Sequence, residues 1–334
     1  MTTAEAVSIE LSFEDNRVLP ILYGPHNANL TRIEYQLGVT LAPRGNALVI
    51  HGPDGAAGQA ATVLKTLWDR ASRGHEVASA DVDTAIRFTH ADAADGSASV
   101  GPADAWTRGT IQTRRRVIAP RTPTQLVYAE ALRTHELVFA LGPAGTGKTY
   151  LAVAQAVSLL NSGQVDRIIL SRPAVEAGER LGFLPGDLRE KVDPYLRPLY
   201  DALYDMMPAE QVARGLDTGT IEVAPLAFMR GRTLANAFVI LDEAQNSTGV
   251  QMRMFLTRLG ENSRMAVTGD PSQTDLPPAE RSGLTQALEV LKGVDGVAQV
   301  RFTDRDVVRH PLVTRIVRAY QAADERNRQP GRRA

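Results

Sequence analysis

Apolar and polar positions alternate over residues 8–13 (SIELSF), the period of a strand with one buried face. A second short strand is expected over residues 19–23. The period then changes. Leu30, Ile33 and Leu37 recur at helical spacing, and Gly38 stands where such a helix would stop, because glycine takes up the left-handed conformation of a helix end without a Cβ clash. Residues 39–42 and 47–51 flank PRGN and predict a hairpin. A long helix is expected over 57–72, with Gly74 stopping it, and Ser79 could cap a short helix reaching Phe88. These elements make a small α+β unit over residues 1–90. Residues 91–110 are small, polar and interrupted by Gly and Pro, which predicts a flexible linker. An Arg-rich arm continues it to residue 121.

From residue 122 the pattern becomes α/β. Short apolar runs at 137–141, 167–171, 221–223, 237–241, 265–268 and 298–302 alternate with helical stretches, the arrangement of a parallel sheet. Leu188, Val192, Leu196, Leu199 and Leu203 predict a helix, which Pro194 and Pro198 should break or restart, since proline lacks the N–H donor and clashes with the preceding turn. Thr248 and Gln251 form a capping box ahead of Met252, Phe255, Leu256 and Leu259, with Gly260 after them. This unit is expected to span 122–320, followed by a polar tail, 321–334.

Three stretches in it carry chemistry. GPAGTGKT (Gly142, Pro143, Ala144, Gly145, Thr146, Gly147, Lys148, Thr149) satisfies G-x-x-x-x-G-K-[ST], between an apolar strand and a helix. That context aims backbone N–H groups and the positive end of a helix at one anion. Lys148 would reach the β- and γ-phosphates, and the Thr149 hydroxyl would ligate Mg²⁺. In FVILDEAQN, an apolar run ends in paired carboxylates: Asp242 would hold Mg²⁺ through its water shell, and Glu243 would face the attacking water. In VTGDPSQTDLP a strand ends at Gly269-Asp270, and the Gln273 amide can donate to a γ-phosphate. ATP and Mg²⁺ are the cofactors expected.

Composition is that of an ordinary globular protein, with 43% hydrophobic and 22% charged residues. The absence of cysteine excludes disulfides and thiolate metal sites. No secretory signal and no membrane span are evident, so a cytoplasmic protein is expected. The formal charge of −1 conceals an asymmetry. Residues 1–100 hold seven basic against twelve acidic residues, 101–121 five Arg against one Asp, and 301–334 nine Arg against four acidic residues. Basic segments of this kind suit phosphate backbones, and solvated tails equally.

Taken together, GPAGTGKT, ILDEAQN and TGDPSQTDLP resemble the PhoH family, whose ATPase domain is similar to the first motor domain of superfamily 1 helicases. The resemblance extends through LSRPAVEAGERLGFLPGDLREKVDPYLRPLYD and DVVRHPLV. It implies a P-loop NTPase with a RecA/helicase-like parallel sheet, in which the strand bearing Gly269 lies between those bearing the two phosphate-site motifs. It also implies that Gln125, 23 residues before Lys148, reads adenine, that Gln273 couples the γ-phosphate to nucleic acid, and that Ser171 and Arg172 face a single strand. Helicases take an arginine from a second motor domain. The residues after Tyr320 are too few for one, so the arginine is expected from this domain or a neighbour, with Arg301, Arg305 and above all Arg309 as candidates. A homo-oligomer, a hexameric ring, follows. The N-terminal unit is similar to that of the short bacterial branch and is expected to be KH-like, with GPHN (residues 24–27) in the place of the backbone-clamping GXXG loop, Asn27 replacing its second glycine.

Two functions follow from this sequence. One is an ATPase acting on or with RNA, as translocase, weak helicase or remodelling factor. The other is a nucleotide-switched adaptor for a protein partner such as an RNA-processing enzyme. A small-molecule kinase is a weaker third, since no acceptor-binding lid is evident and Glu243 suits water activation.

Overall fold

A computed structural model of the chain describes residues 6–95, 101–173, 188–277 and 280–308, and positions 313, 316 and 319. The N-terminal unit comprises β1 (Ala6–Ser12), α1 (Leu19–Tyr23), α2 (Ala28–Leu37), β2 (Thr40–Arg44), β3 (Ala47–Pro53), α3 (Asp54–Ser72), α4 (Ser79–Asp95) and α5 (Pro102–Thr107). Its strands pair antiparallel in the order β1-β3-β2, with Ile9 opposite Ile50 and Leu11 opposite Leu48. Leu11, Leu48 and Ile50 pack in one core with Ile33, Leu64 and Leu67.

Several expectations change here. Residues 19–23 are helical, not a strand: Pro20 sits in the first turn with a φ already suited to a helix, and Leu19 and Leu22, three apart, are the buried pair. Five apolar-rich residues are too few to reveal a period. GPHN therefore joins two helices instead of a strand and a helix. Gly24, His26 and Asn27 all take positive φ in it, and a Cβ on Gly24 would lie 2.8 Å from Asn29 Nδ2. The helix expected from residue 57 begins one turn earlier: α3 already starts at Asp54, an acid favoured in a first turn. The predicted flexible linker is ordered where it is described. α4 runs on to Asp95, and α5 buries Ala105 against Phe88 of α4 and Leu126 of the second unit.

The basic arm forms a two-stranded ribbon, β4 (Ile111–Gln112) with β5 (Val117–Ile118). Its arginines are docked on the second unit: Arg114 Nε donates to Asn161 Oδ1 (3.1 Å), Arg115 Nη1 to Tyr204 O (2.6 Å), and Arg116 pairs with Asp205 (2.7 Å).

The second unit contains α6 (Pro123–Thr134), β6 (Leu137–Leu141), α7 (Lys148–Asn161), β7 (Arg167–Arg172), α8 (Leu188–Met206), α9 (Ala209–Thr218), β8 (Ile221–Pro225), β9 (Ala237–Leu241), α10 (Gly249–Leu256), β10 (Arg264–Gly269), α11 (Gly283–Val290) and β11 (Val297–Arg301). Six parallel strands stand in the order β11-β6-β10-β9-β7-β8, so β10 separates β6 from β9 as anticipated. Both faces of the central strands are covered, which is why β6 and β9 read as unbroken apolar runs, while the edge strands β8 and β11 carry Glu222 and Gln299. Val138, Ala140, Phe238 and Ile240 face a core containing Leu151 and Leu203, while Phe139, Leu141, Val239 and Leu241 face one containing Met252 and Phe255. α8 is continuous through positions 194 and 198, contrary to the expected break. The burial of Leu199, Leu203 and Met206 against the α7 side of the sheet offsets the missing donors. The capping box forms as expected, with Gln251 N on Thr248 Oγ1 (3.3 Å) and Thr248 N on Gln251 Oε1 (2.9 Å). Its helix ends at Leu256, one turn short of Gly260.

Candidate functional site

The carboxyl ends of β6, β10, β9 and β7 converge on one point, where ligands bind in open parallel sheets. The loop after β6 is tightly folded. Gly142, Gly145 and Gly147 take φ of 134°, 84° and 84°, values unfavourable to other residues, and a Cβ on Gly142 would collide with Phe302 O. Gly142 N bonds to Gly269 O (3.1 Å) and Val308 N to Gly145 O (3.0 Å), tying the loop to β10 and to the chain after β11. Lys148 Nζ curls back onto the carbonyls of Gly142 (2.6 Å) and Pro143 (2.8 Å). The ammonium thus lies within the loop whose N–H groups would cradle phosphates.

Three oxygens gather beside it. Thr149 Oγ1 donates to Asp242 Oδ1 (2.6 Å), and Thr268 Oγ1 donates to the same oxygen (2.7 Å). Asp242 is buried at 6% exposure. No cluster of three or more acidic, His or Cys residues able to hold a metal occurs among the described residues. One hydroxyl and one carboxylate are nevertheless a fitting set for Mg²⁺, a hard ion that keeps several waters and completes its shell with phosphate oxygens. Behind them Tyr128, edge-on to Phe302 at 5.6 Å, has its phenol pKa raised by burial and by the charge of Asp242. Tyr150 follows the motif. Burial, then its hydrogen bond to Asp205, pushes its phenol up to about 12.

Glu243 is held from both sides. Its Oε1 pairs with Arg172 (3.2 Å) and its Oε2 accepts from Gln245 Nε2 (2.6 Å), while its own φ of 51° is a left-handed value unusual outside glycine. Gln245 Oε1 in turn accepts from Asp270 N (3.0 Å). Asp270 then fixes the third motif: its Oδ2 accepts from Gln273 Nε2 (2.6 Å) and its Oδ1 from Ser272 Oγ (2.7 Å). Lys148, Thr149, Asp242, Glu243, Asp270 and Gln273 line a single cavity of about 250 Å³.

The remaining candidates divide. Gln125 is buried behind the loop, donating to Thr146 O (2.9 Å) and accepting from Arg121 N (2.7 Å), so both ends of its amide are engaged on backbone. Arg172 reaches the cavity through Glu243. Ser171 is fully buried, and its Oγ has no hydrogen-bond partner among the described residues. The period of β7 turns Ser171 inward where it turns Arg172 out. Arg301, the last residue of the edge strand β11, and Arg305, four residues on, are both exposed. Arg309 lies outside the described residues. Sequence reasoning missed Thr268 and Gln245. Both stand inside the motifs, but only the adjacency of β10 and β9 shows what they touch.

Residues 117–321 match the PhoH-like protein family. The PhoH-like protein of Bacillus subtilis is 48% identical over 299 residues, covering 90% of this chain and 92% of its own length. That of Mycobacterium tuberculosis is 48% identical over 304 residues, 91% and 85% of the two chains. Protein PhoH of Escherichia coli K12 is 49% identical over 205 residues, 61% of this chain and 58% of its own. With a phosphate loop, a hydroxyl–carboxylate pair and a parallel sheet in place, and with identity near half over nine-tenths of the length, the chain belongs to the PhoH family of P-loop, ATPase-like proteins.

Proposed function

We propose that the protein is a Mg²⁺-dependent ATPase that acts on or with RNA. The observation that carries hydrolysis is the meeting of Thr149 and Asp242 at 2.6 Å beside the Lys148 loop, with Glu243 in the same cavity. Mg²⁺, when bound, supplies charge neutralisation at the β- and γ-phosphates. Lys148 would turn from the Gly142 and Pro143 carbonyls to the phosphates, the Thr149 hydroxyl would hold the ion directly and Asp242 through its waters, and Glu243 would orient the attacking water. In this reading Gln273, in the same cavity, senses the γ-phosphate.

The Arg172–Glu243 pair supports coupling to RNA. A guanidinium at the end of β7 holds one oxygen of the carboxylate that would activate water. An RNA phosphate competing for Arg172 would free that oxygen, so strand binding and hydrolysis would share one ion pair. In the same reading the protein works as a hexameric ring, with Arg301, Arg305 or Arg309 completing a neighbour's site, because such arginines raise phosphoryl-transfer rates by roughly 10³–10⁵.

The test is ATP turnover with and without single-stranded and structured RNA, with the mass in solution measured alongside. Stimulation by RNA is expected in the wild type, and Lys148→Ala should lose turnover altogether. Arg172→Gln should bind ATP normally and lose the stimulation. Turnover indifferent to every RNA would remove the RNA reading and favour the adaptor, and full turnover by a monomer would remove the ring.

A further inference from the structure

The phosphate cavity has two ends, and their chemistry differs. Glu243, Asp270 and Gln273 mark the hydrolytic end, where a terminal phosphate belongs. At the opposite end Gly145, Gly147 and Tyr150 are shared with a second, larger cavity of about 520 Å³. With its γ-phosphate at the hydrolytic end, a nucleoside triphosphate would run its ribose and base past these three residues. The second cavity lies on that path, and its size is that of an ordinary small-molecule site.

The walls of this cavity come from both units. The ATPase side contributes the chain around β5 and Gln125. The facing wall is N-terminal: Arg70 of α3, Ala80, Asp81 and Thr84 of α4, and Trp106 of α5. That wall is built rather than incidental. The Arg70 guanidinium lies 4.7 Å above the Trp106 ring and pairs with Asp81 at 3.5 Å, making a flat cationic and aromatic surface of the kind on which planar bases stack. The wall is also fixed relative to the phosphate loop. Arg87 of α4 donates to Val307 O (3.4 Å), and the next residue, Val308, donates its N–H to Gly145 O in the loop. Phe88, Ala105 and Leu126 close the junction from behind.

From this we infer that the N-terminal unit forms one wall of the nucleotide site, receiving the ribose and base in the cleft between α4, α5 and the phosphate loop, so that bound nucleotide links the two units. This rests on the reading of the smaller cavity as a nucleoside-triphosphate site. It gives the N-terminal unit a direct contact with the fuel, through which nucleotide state reaches whatever surface that unit presents.

Ala80 is exposed in the first turn of α4 and lines the cleft, so Ala80→Trp fills it without deleting a native contact. Calorimetry on the full chain, with a non-hydrolysable ATP analogue and with inorganic tripolyphosphate, separates base from phosphate binding. Wild-type protein should bind the analogue at least roughly tenfold more tightly than tripolyphosphate, and Ala80→Trp should erase that difference while leaving tripolyphosphate binding unchanged. On the wild type, hydrogen exchange at the amides of residues 80–84 should slow with the analogue and not with tripolyphosphate, a readout independent of how the variant folds. Unchanged exchange, together with an Ala80→Trp variant that binds the analogue normally, overturns the inference and leaves the phosphate site standing. Wild-type protein that binds neither compound overturns both.

Discussion

The two ends of the nucleotide cleft are built on different principles. The phosphate end is almost wholly local. Eight consecutive residues fold into the loop, and the side chains that complete it come from the ends of neighbouring strands. The other end is a composite of α3, α4, α5, the β5 arm and the chain after β11, pieces drawn from sequence positions 70 to 308. The first uses backbone N–H groups and fixed glycine geometry, so any sequence that makes it must look alike. The second uses packing, which many sequences satisfy. A contiguous motif is therefore a property of the reaction, while the cleft beside it is a property of this architecture.

The largest expected effect lies at the phosphate end. Glu243→Gln should bind ATP at wild-type affinity and slow its hydrolysis by roughly 10²–10⁴-fold, the usual contribution of a positioned general base. Single-turnover kinetics would show it, and normal turnover would remove Glu243 from the chemistry.

Gln125 tests whether the two ends are joined. Its amide bridges the phosphate loop at Thr146 and the arm at Arg121. Gln125→Ala leaves the buried Thr146 carbonyl unpaired, at a cost on the order of 1–3 kcal/mol, and releases the Arg121 N–H. The loop should loosen, and binding of ATP and of tripolyphosphate should weaken together. If only ATP binding suffers, the amide reads the base in the bound state, as the helicase resemblance implies.

A smaller effect belongs to the N-terminal unit alone. Burial favours the neutral form of the Asp83 carboxyl, but hydrogen bonds from Arg32 (2.5 and 2.7 Å) and Gln36 (2.7 Å) more than offset it and hold its pKa below the usual range. Stability from such a depressed group is present above the ordinary carboxylate pKa of about 3.9 and is lost as pH falls through the lowered value. Thermal melts should therefore show the wild type losing the contribution of this α2–α4 link below about pH 4. Asp83→Asn should be less stable at neutral pH, by about 1 kcal/mol, and should fall less on acidification. Equal acid sensitivity in the two proteins would show that Asp83 does not report on this unit.

How far the sequence could be read depended on the range of the interactions involved. The Thr248–Gln251 box and the central strands of the parallel sheet were legible because a cap spans three residues and a strand buried on both faces is an unbroken apolar run. The helical state of residues 19–23 was not, since five residues do not show a period and the burial of Leu19 and Leu22 depends on distant partners. Nor was the continuity of α8, where tertiary burial outweighs a local proline rule. The docking of the arm was hidden as well, because an arginine paired with Asp205 is written like one in solvent.

The sequence by itself determined the phosphate loop, the acidic pair and their place at strand ends, because covalent neighbours and backbone geometry create them. Only the tertiary structure decided that Arg172 and Gln245 hold Glu243, that Ser171 turns inward, and that an N-terminal wall faces the nucleotide cleft. Those are contacts between elements far apart in the chain, set by strand order and by how two units pack.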